Sequence, residues 1–401
     1  MPAVTASQAC LPDMRPEEAL ILACTRVRLT PGDDGRLREL ASPPLDWPYL
    51  LGTAARHGLT PLIYRHLKAA AADLVPPAFL AELEQANLRN AAWNLLLTAE
   101  LVRLLSLFEA TGIAALPFKG PALAAQVYGD LSLRQFRDLD LLIHPEDFSL
   151  AKEIILKQGY RPLLNLSGDQ EKALLRTMHH LEFLEENHGM LVELHWAISK
   201  WWAPLAVGDP GWWERAQFIT LSGKRALGFS PEDTLLIHCV HGATHCWDRL
   251  GWILDVAALL DTFQNLKWAE VINLARETRS ERLLFLGLKL ARYLSPAPLH
   301  AEVDKMMHSD SAVEGLARHA WERLFSGPRR RFEFVREALF HVRLRRSWQD
   351  KILFGCRSLF SPTDEDMALL SLPPAGFFLY RLLRPFRLAG KHLLKLKALQ
   401  K

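Results

Sequence analysis

The sequence predicts an α+β protein in which a short sheet-bearing unit is held between two helical regions. Three observations predict it. Before position 111, apolar residues recur at helical spacing and no period-two run interrupts them. Short apolar or alternating runs of strand length then crowd into 113–118, 138–143, 181–185 and 190–198. Helical spacing returns from Pro231 onward. The units expected are therefore 1–111, 112–226 and 227–401, and 401 residues suffice for two or three domains.

In the first unit, Trp47-Pro48 opens a helix that Gly58 closes after Arg56 and His57, cations and glycine being favoured at a C-terminus. A second helix starts near Pro61. The longest runs from Pro77 through Leu83, Trp93 and Leu97 toward Phe108, with Gly112 as its stop. In the middle unit, Ile113 to Phe118 reads as a buried strand, which Lys119-Gly120-Pro121 breaks. Ala122 to Tyr128 reads as a short helix ending at Gly129. Asp138 to Ile143 is the second strand, and Pro145, Glu146 and Asp147 suit the first turn of a helix. Phe148, Ala151 and Ile155 share one face of that helix, and Gly159 ends it. Leu181 to Glu185 and Met190 to Ile198 read as strands joined by an Asn187-His188-Gly189 hairpin. The clearest late helices are Thr234 to Trp247, Gly251 to Phe263 and Ser280 to Tyr293.

Composition places the chain among ordinary soluble globular proteins, with 49% hydrophobic and 23% charged residues and a formal charge of +3. The five cysteines (Cys10, Cys24, Cys239, Cys246, Cys356) form no CxxC pair, which fits a reducing compartment. Asp13, Glu17 and Glu18 occupy the stretch where a signal peptide needs apolar residues. The most apolar run, Leu95 to Phe108, is broken by Glu100 and Arg103, short of the ~18 residues of a membrane span. A cytoplasmic protein is expected.

Chemistry concentrates in the middle unit. Alternate residues of a strand share a face, so Asp138 and Asp140 point one way while Leu139, Leu141 and Ile143 point the other. Two such carboxylates, roughly 6.5–7 Å apart at Cα, repel unless a hard divalent cation neutralises them. The strand at 190–198 repeats the pattern. Val192, Leu194, Trp196 and Ile198 form an apolar row, and Glu193 and His195 oppose it, so Glu193 can supply a third acid. Lys119-Gly120 sits at a strand-to-helix junction where backbone N–H groups can approach a phosphate. Arg134 and Arg137, just before the acids, are candidates to grip a triphosphate.

Taken together, Leu116-Pro-Phe-Lys-Gly-Pro, Tyr128-Gly-Asp, Arg134, Arg137-Asp-Leu-Asp-Leu-Leu-Ile, Gly159-Tyr160 and Met190-Leu-Val-Glu-Leu-His-Trp resemble the DNA polymerase β-type nucleotidyltransferase core. More narrowly they are similar to the bacterial group labelled uncharacterised nucleotidyltransferases. Trp47, His57-Gly58, Pro61-Leu62, His241-Gly, His245-Cys-Trp, Leu250, Trp252, Asp255, Leu372-Pro and Arg384-Pro extend the likeness over nearly the whole chain. The wider superfamily carries Gly-Ser or Gly-Gly where this chain has Lys119-Gly120-Pro121, whereas the narrower group carries Lys-Gly. The resemblance implies a polymerase β-like core, a mixed sheet with flanking helices, between N- and C-terminal helical regions. It also implies transfer of a nucleoside monophosphate from an NTP to a hydroxyl-type acceptor on a small molecule, peptide or protein, with pyrophosphate released. Asp138, Asp140 and Glu193 would hold two magnesium ions. Lys119, Gly120, Arg134 and Arg137 would bind the nucleotide.

Other residues carry two readings each. His180 and His195 lie on paired strands and can touch the acceptor or support a metal-bound acid, or else are buried and satisfied by backbone. His241 and His245, with His238 one turn earlier, are four apart on a helix, the spacing of many zinc pairs, and Asp255 is available as a third ligand or as a hydrogen-bond partner. The glutamate that a zincin places beside its first histidine is missing. Trp201, Trp202, Trp212 and Trp213 can stack on a base or pack a domain junction, and packing is the commoner use. From Arg381 to Lys401 there are seven cations and no acid, with Leu393, Leu394, Leu396 and Leu399 among them. A docked, solvated helix is expected there in preference to peripheral membrane contact, and no nucleic-acid partner is expected. Rival functions are an inactive nucleotide-binding scaffold or sensor and a zinc hydrolase using His241 and His245.

Overall fold

The computed structural model describes residues 14–164, 168, 171, 175, 178–199, 211–295, 298–325, 333–363, 366, 372 and 376–398. Trp201 and Trp202, Cys10 and the last three residues of the basic tail lie outside the described residues. The first helices form where the sequence supplies starts and stops. After α1 (Pro16–Ala23) and α2 (Asp33–Ala41), α3 (Trp47–His57) is capped by the Asp46 carboxylate, which accepts from the Tyr49 amide, and it stops at Gly58 with φ 74°. α4 (Thr60–Ala70) precedes α5 (Pro77–Ala110), a helix of 34 residues. α5 is long and apolar enough to cross a membrane by length and composition. Here its Leu97, Leu101, Leu104, Leu105 and Phe108 stripe is buried with sheet residues. Glu100, inside that stripe, accepts hydrogen bonds from the Tyr160 hydroxyl at 2.7 Å and from Arg103.

Five strands, β1 (Ala115–Phe118), β2 (Asp138–Ile143), β3 (Tyr160–Pro162), β4 (His180–Glu185) and β5 (Leu191–His195), form a mixed sheet in the order β1-β2-β5-β4-β3. Only β2 and β5 pair in parallel. β6 (Gln217–Leu221) and β7 (Lys224–Gly228) make a separate hairpin, turned at Ser222 and Gly223 with φ of 46° and 85°. Between β1 and β2, α6 (Gly120–Leu123) is one α turn that widens into a π turn over Ala124–Tyr128 and stops at Gly129. The helix expected from Pro145 begins later, because Pro145–Asp147 forms a 3₁₀ turn before α7 (Phe148–Lys157). The strand expected over 190–198 ends at His195. The Trp196 and Ala197 amides there both donate to the His179 carbonyl, which turns the chain away from the sheet. Trp196 therefore stays with the sheet core, while Ile198 packs against the other core.

Strand alternation divides the sheet into two unlike faces. Leu139, Leu141, Ile143, Phe183, Val192 and Leu194 pack with α5 and α7 in one buried cluster. The opposite face carries the polar residues. The second cluster joins α1 to α4 with the later helices α8 (Pro231–Thr244), α9 (Leu250–Thr262), α10 (Trp268–Glu277), α11 (Glu281–Ala291), α12 (Ala301–Ser309) and α13 (Ser311–Leu324), so both helical regions share one core. Their contact is close. The Leu250 amide donates to His57 Nδ1 at 3.2 Å.

Beyond these lie α14 (Glu333–Arg343), α15 (Trp348–Phe360) and α16 (Phe377–Ala398). The first turns of α16 are held to the rest of the chain by Tyr380 and two arginines. Tyr380 is buried, Arg384 pairs with Asp366 at 2.8 Å and donates to the Ser358 carbonyl, and Arg387 also pairs with Asp366. Phe378, Leu379, Leu382, Leu383 and Phe386 remain exposed. Guanidinium groups with a buried carboxylate to satisfy take the inward positions ahead of the apolar side chains.

A Cβ at Gly251 would lie 2.7 Å from the His57 carbonyl oxygen, a backbone atom that cannot rotate aside. Gly251→Ala should therefore destabilise the chain by about 1–3 kcal/mol. Gly315, in α13, has no atom within 4 Å of its Cβ position. Gly315→Ala should instead gain roughly 0.5–1 kcal/mol of helix propensity. Urea denaturation of the two variants side by side checks both signs.

Candidate active site

The acids meet because of register. Parallel pairing of β2 with β5 places Asp140 beside Glu193, and antiparallel pairing of β4 with β5 places Glu182 on the other side of Glu193. Asp138 shares their face one pleat away. This face borders a cavity of about 1680 Å³ between the sheet and the later helices. Asp138, Glu193, Glu182, His179, His180 and His195 line it. Asp140 lies beneath its floor, 3% exposed. Glu182 and His179 were not singled out in the sequence; their place follows only from the pairing of β4.

Buried like charges must be offset. Lys119 Nζ lies 2.7 Å from Asp140 Oδ1, and His195 Nε2 lies 3.3 Å from the same oxygen and 3.1 Å from Glu193 Oε2. Burial pushes the Asp140 carboxyl up, but Lys119 and His195 outweigh it and hold that group well below the usual range. Burial acts likewise on Glu193, and the hydrogen bond from His195 again wins, so this acid too stays ionised. Asp138 has no such partner. Desolvation, then repulsion from Asp140 and Glu193, raises its pKa to about 6 despite Lys119 and Arg134. The other Asp140 oxygen, Oδ2, is buried with no hydrogen-bond partner among the described residues.

Lys119 reaches Asp140 from a strained backbone, with φ 57° and ψ −148°. A non-glycine residue there costs about 1–3 kcal/mol. Gly120 follows at φ 31°, and a Cβ on it would sit 3.2 Å from the Asp138 carbonyl oxygen, so the loop closes onto β2 only as glycine. Because α6 is a single α turn, its dipole adds little. Any phosphate grip rests on the Lys119 charge and the local N–H groups.

Arg134 and Arg137 differ. Arg137 is exposed at the cavity. Arg134 also borders the cavity, but its Nε and Nη2 donate to the two Asp255 oxygens, both at 2.9 Å, while the Tyr128 hydroxyl donates to Asp255 Oδ1 at 2.7 Å. Both Asp255 oxygens are thus taken up by hydrogen bonds to Arg134 and Tyr128. A bidentate guanidinium matches a carboxylate better than an imidazole does, and it ties the loop before the acids to α9.

His241 and His245 line the cavity, with ring centroids 4.7 Å apart and each 5.1 Å from Trp252. Burial, with Lys119 and His245 nearby, holds His241 neutral. No third side chain of ligand type joins this pair among the described residues. His238 is buried instead, bonded through Nδ1 to the Thr234 carbonyl at 2.8 Å. Trp212 packs against Phe229 and Trp213 stacks on His144 at 4.0 Å. Both pack a junction, and the indole at the cavity is that of Trp252.

A family model described as an uncharacterised nucleotidyltransferase matches residues 43–296, well over half of the chain and the whole sheet. No curated protein matches the sequence. Among solved structures, the chain is similar to the solution structure of the antibiotic-resistance factor ANT(2'')-Ia, at 16% identity and a TM-score of 0.34 over 47% of this chain and 93% of that one. It is also similar to the crystal structure of an antigenic nucleotidyltransferase-like protein from Paracoccidioides brasiliensis, at 15% identity and a TM-score of 0.29 over 50% and 93% of the two chains.

Two predictions follow from the charges. Removing Asp255 strands the buried Arg134 guanidinium, so Asp255→Ala should cost about 3–5 kcal/mol, whereas Arg134→Met with Asp255→Leu should cost much less. Chemical denaturation of the single and double variants measures the difference. For Asp138, the folded pKa of about 6 exceeds the unfolded 3.8. Its ionisation therefore opposes folding: stability is full below the unfolded value and is lost as pH rises through about 6. Screening leaves roughly 1–2 kcal/mol at pH 8. Asp138→Asn should be more stable than the parent by that amount at pH 8 and equal to it below pH 4, as read from melting curves across pH.

Proposed function

The chain belongs to the uncharacterised nucleotidyltransferase family, and from that premise we propose that it transfers a nucleoside monophosphate from an NTP to a hydroxyl-type acceptor, releasing pyrophosphate. The observation that carries this reading is the convergence of Asp138, Asp140 and Glu193 on one cavity-facing side of the sheet. The same residues fit magnesium. It is a hard cation that takes carboxylate oxygens, and Asp140 Oδ2 is a buried acceptor that no donor among the described residues satisfies. When bound, the metal would neutralise charge on both the attacking and the leaving oxygens of an in-line displacement.

The chain's own residues have distinct tasks in that reaction. Lys119, whose charge is fixed beside Asp140, holds phosphate oxygens together with the Gly120 N–H, and Arg137 offers an exposed guanidinium fork at the cavity edge. Arg134 serves them indirectly by anchoring their loop to Asp255. The acceptor oxygen bonds to the α-phosphorus as the bond to the bridging oxygen breaks. Its proton passes to Glu193, whose carboxylate the His195 Nε2 contact keeps ionised and oriented. His241, His245 and Trp252 stand across the cavity, where the acceptor or base would lie.

Incubation with each labelled NTP and magnesium, followed by mass spectrometry of the protein and of cell extract, identifies the acceptor. Asp140→Asn should lower transfer by at least about 100-fold while circular dichroism stays that of the parent. Turnover that survives in this variant defeats the assignment.

A further inference from the structure

The cavity-facing side of the sheet carries more donors than the three acids require. Pairing of β4 with β5 sets His180 opposite His195 and Glu182 opposite Glu193. Asp140, Glu193 and Glu182 therefore form one rung across three strands, with His195 and His180 in the next. His179 is fixed beside them because its carbonyl accepts from the Trp196 and Ala197 amides. Its ring meets that of His180 edge-on at 4.2 Å, with nitrogens 3.1 Å apart, and lies 5.7 Å from the His195 ring. His180 and His195 stack at 4.9 Å. One nitrogen from each of the three imidazoles falls within 4.8 Å of the other two, and the ligand atoms of His180, Glu182 and Glu193 are grouped as closely.

Each neutral ring offers one N–H and one lone pair, so the His179 and His180 nitrogens, 3.1 Å apart, can share one hydrogen bond. A cation between the three rings would instead take one lone pair from each. Its chemical class follows from the donors, since imidazole suits zinc and other first-row transition metals whereas carboxylate and water suit magnesium. His195 is arranged as a ligating imidazole is. Its Nε2 contacts the Glu193 and Asp140 carboxylates, and its Nδ1 is buried without a hydrogen-bond partner among the described residues.

We propose that His179, His180 and His195, with Glu182 3.6 Å from His180, form a second cation site that binds a zinc-like transition metal beside the carboxylate site. Three protein ligands are the complement of zinc sites that keep one position open. This site concerns binding and stands whether or not nucleotidyl transfer is the reaction.

Cobalt is the probe. The full-length chain, freed of metal by a chelator and titrated with Co²⁺, should develop a saturable visible absorption. Zn²⁺ should abolish it, and a large excess of Mg²⁺ should not. His179→Gln and His180→Gln should each weaken cobalt binding by roughly tenfold or more, and the double variant should remove it, with circular dichroism reporting the fold. If the double variant does not fold, the two single variants carry the test. Asp138→Asn, which lies outside both donor groups, should keep the cobalt spectrum whatever it does to transfer. Absent absorption, its displacement by Mg²⁺, or an unchanged titration in the folded histidine variants overturns the proposal.

Discussion

Everything at the cavity depends on the register between β2 and β5. Side chains alternate along a strand, so a slip of one residue would turn either Asp138 and Asp140 or Glu193 into the α5 and α7 core and put that strand's apolar residues against water. Burial of those apolar residues fixes the register, and the acids are carried to the other face as a consequence. Their mutual repulsion is then met by Lys119 and His195, both within 3.3 Å of one Asp140 oxygen. Packing on one side of the sheet thus determines the electrostatics on the other.

Strain gathers where this arrangement borders the cavity. Of the five non-glycine residues at positive φ among the described residues, Ser222 serves an ordinary hairpin turn. Lys119 and Arg279 line the cavity, and Cys246 and Trp247 directly follow His245. Gly242 permits the last of these bends, because a Cβ there would lie 2.3 Å from the Trp247 ring. Positions this costly persist when surrounding packing over-determines them, and they cluster where a site must be held open.

Much of this was legible in the sequence. Asp138–Ile143 forms as read because its alternation is strict and its ends are marked, and Gly58, Gly129 and Gly159 stop their elements where expected. Glu182 and His179 were not legible. Nothing local distinguishes a glutamate in His180–Glu185; only its pairing with β5 turns it toward Glu193. The pairing of Arg134 is hidden for a related reason, since its partner lies in a helix remote in sequence. The shared core of the two helical regions was equally hidden, because helical periodicity says which face is buried but not against which helix. The β6–β7 hairpin does carry a local signal, Ser222-Gly223 at its turn.

The Arg134–Asp255 pair also sets a clock on synthesis. The two residues are separated by 121 positions. At roughly 5–20 residues per second, a ribosome takes about 6 to 24 seconds to travel between them. Once β5 has been made the nascent sheet has its strands, but the loop leading into β2 still lacks the Asp255 carboxylate that anchors it. The sheet can collapse early from its own leucines, whereas the mouth of the cavity takes shape only once α9 has emerged. The order in which the chain appears therefore delays the reactive surface until the first two of its later helices, α8 and α9, have been made.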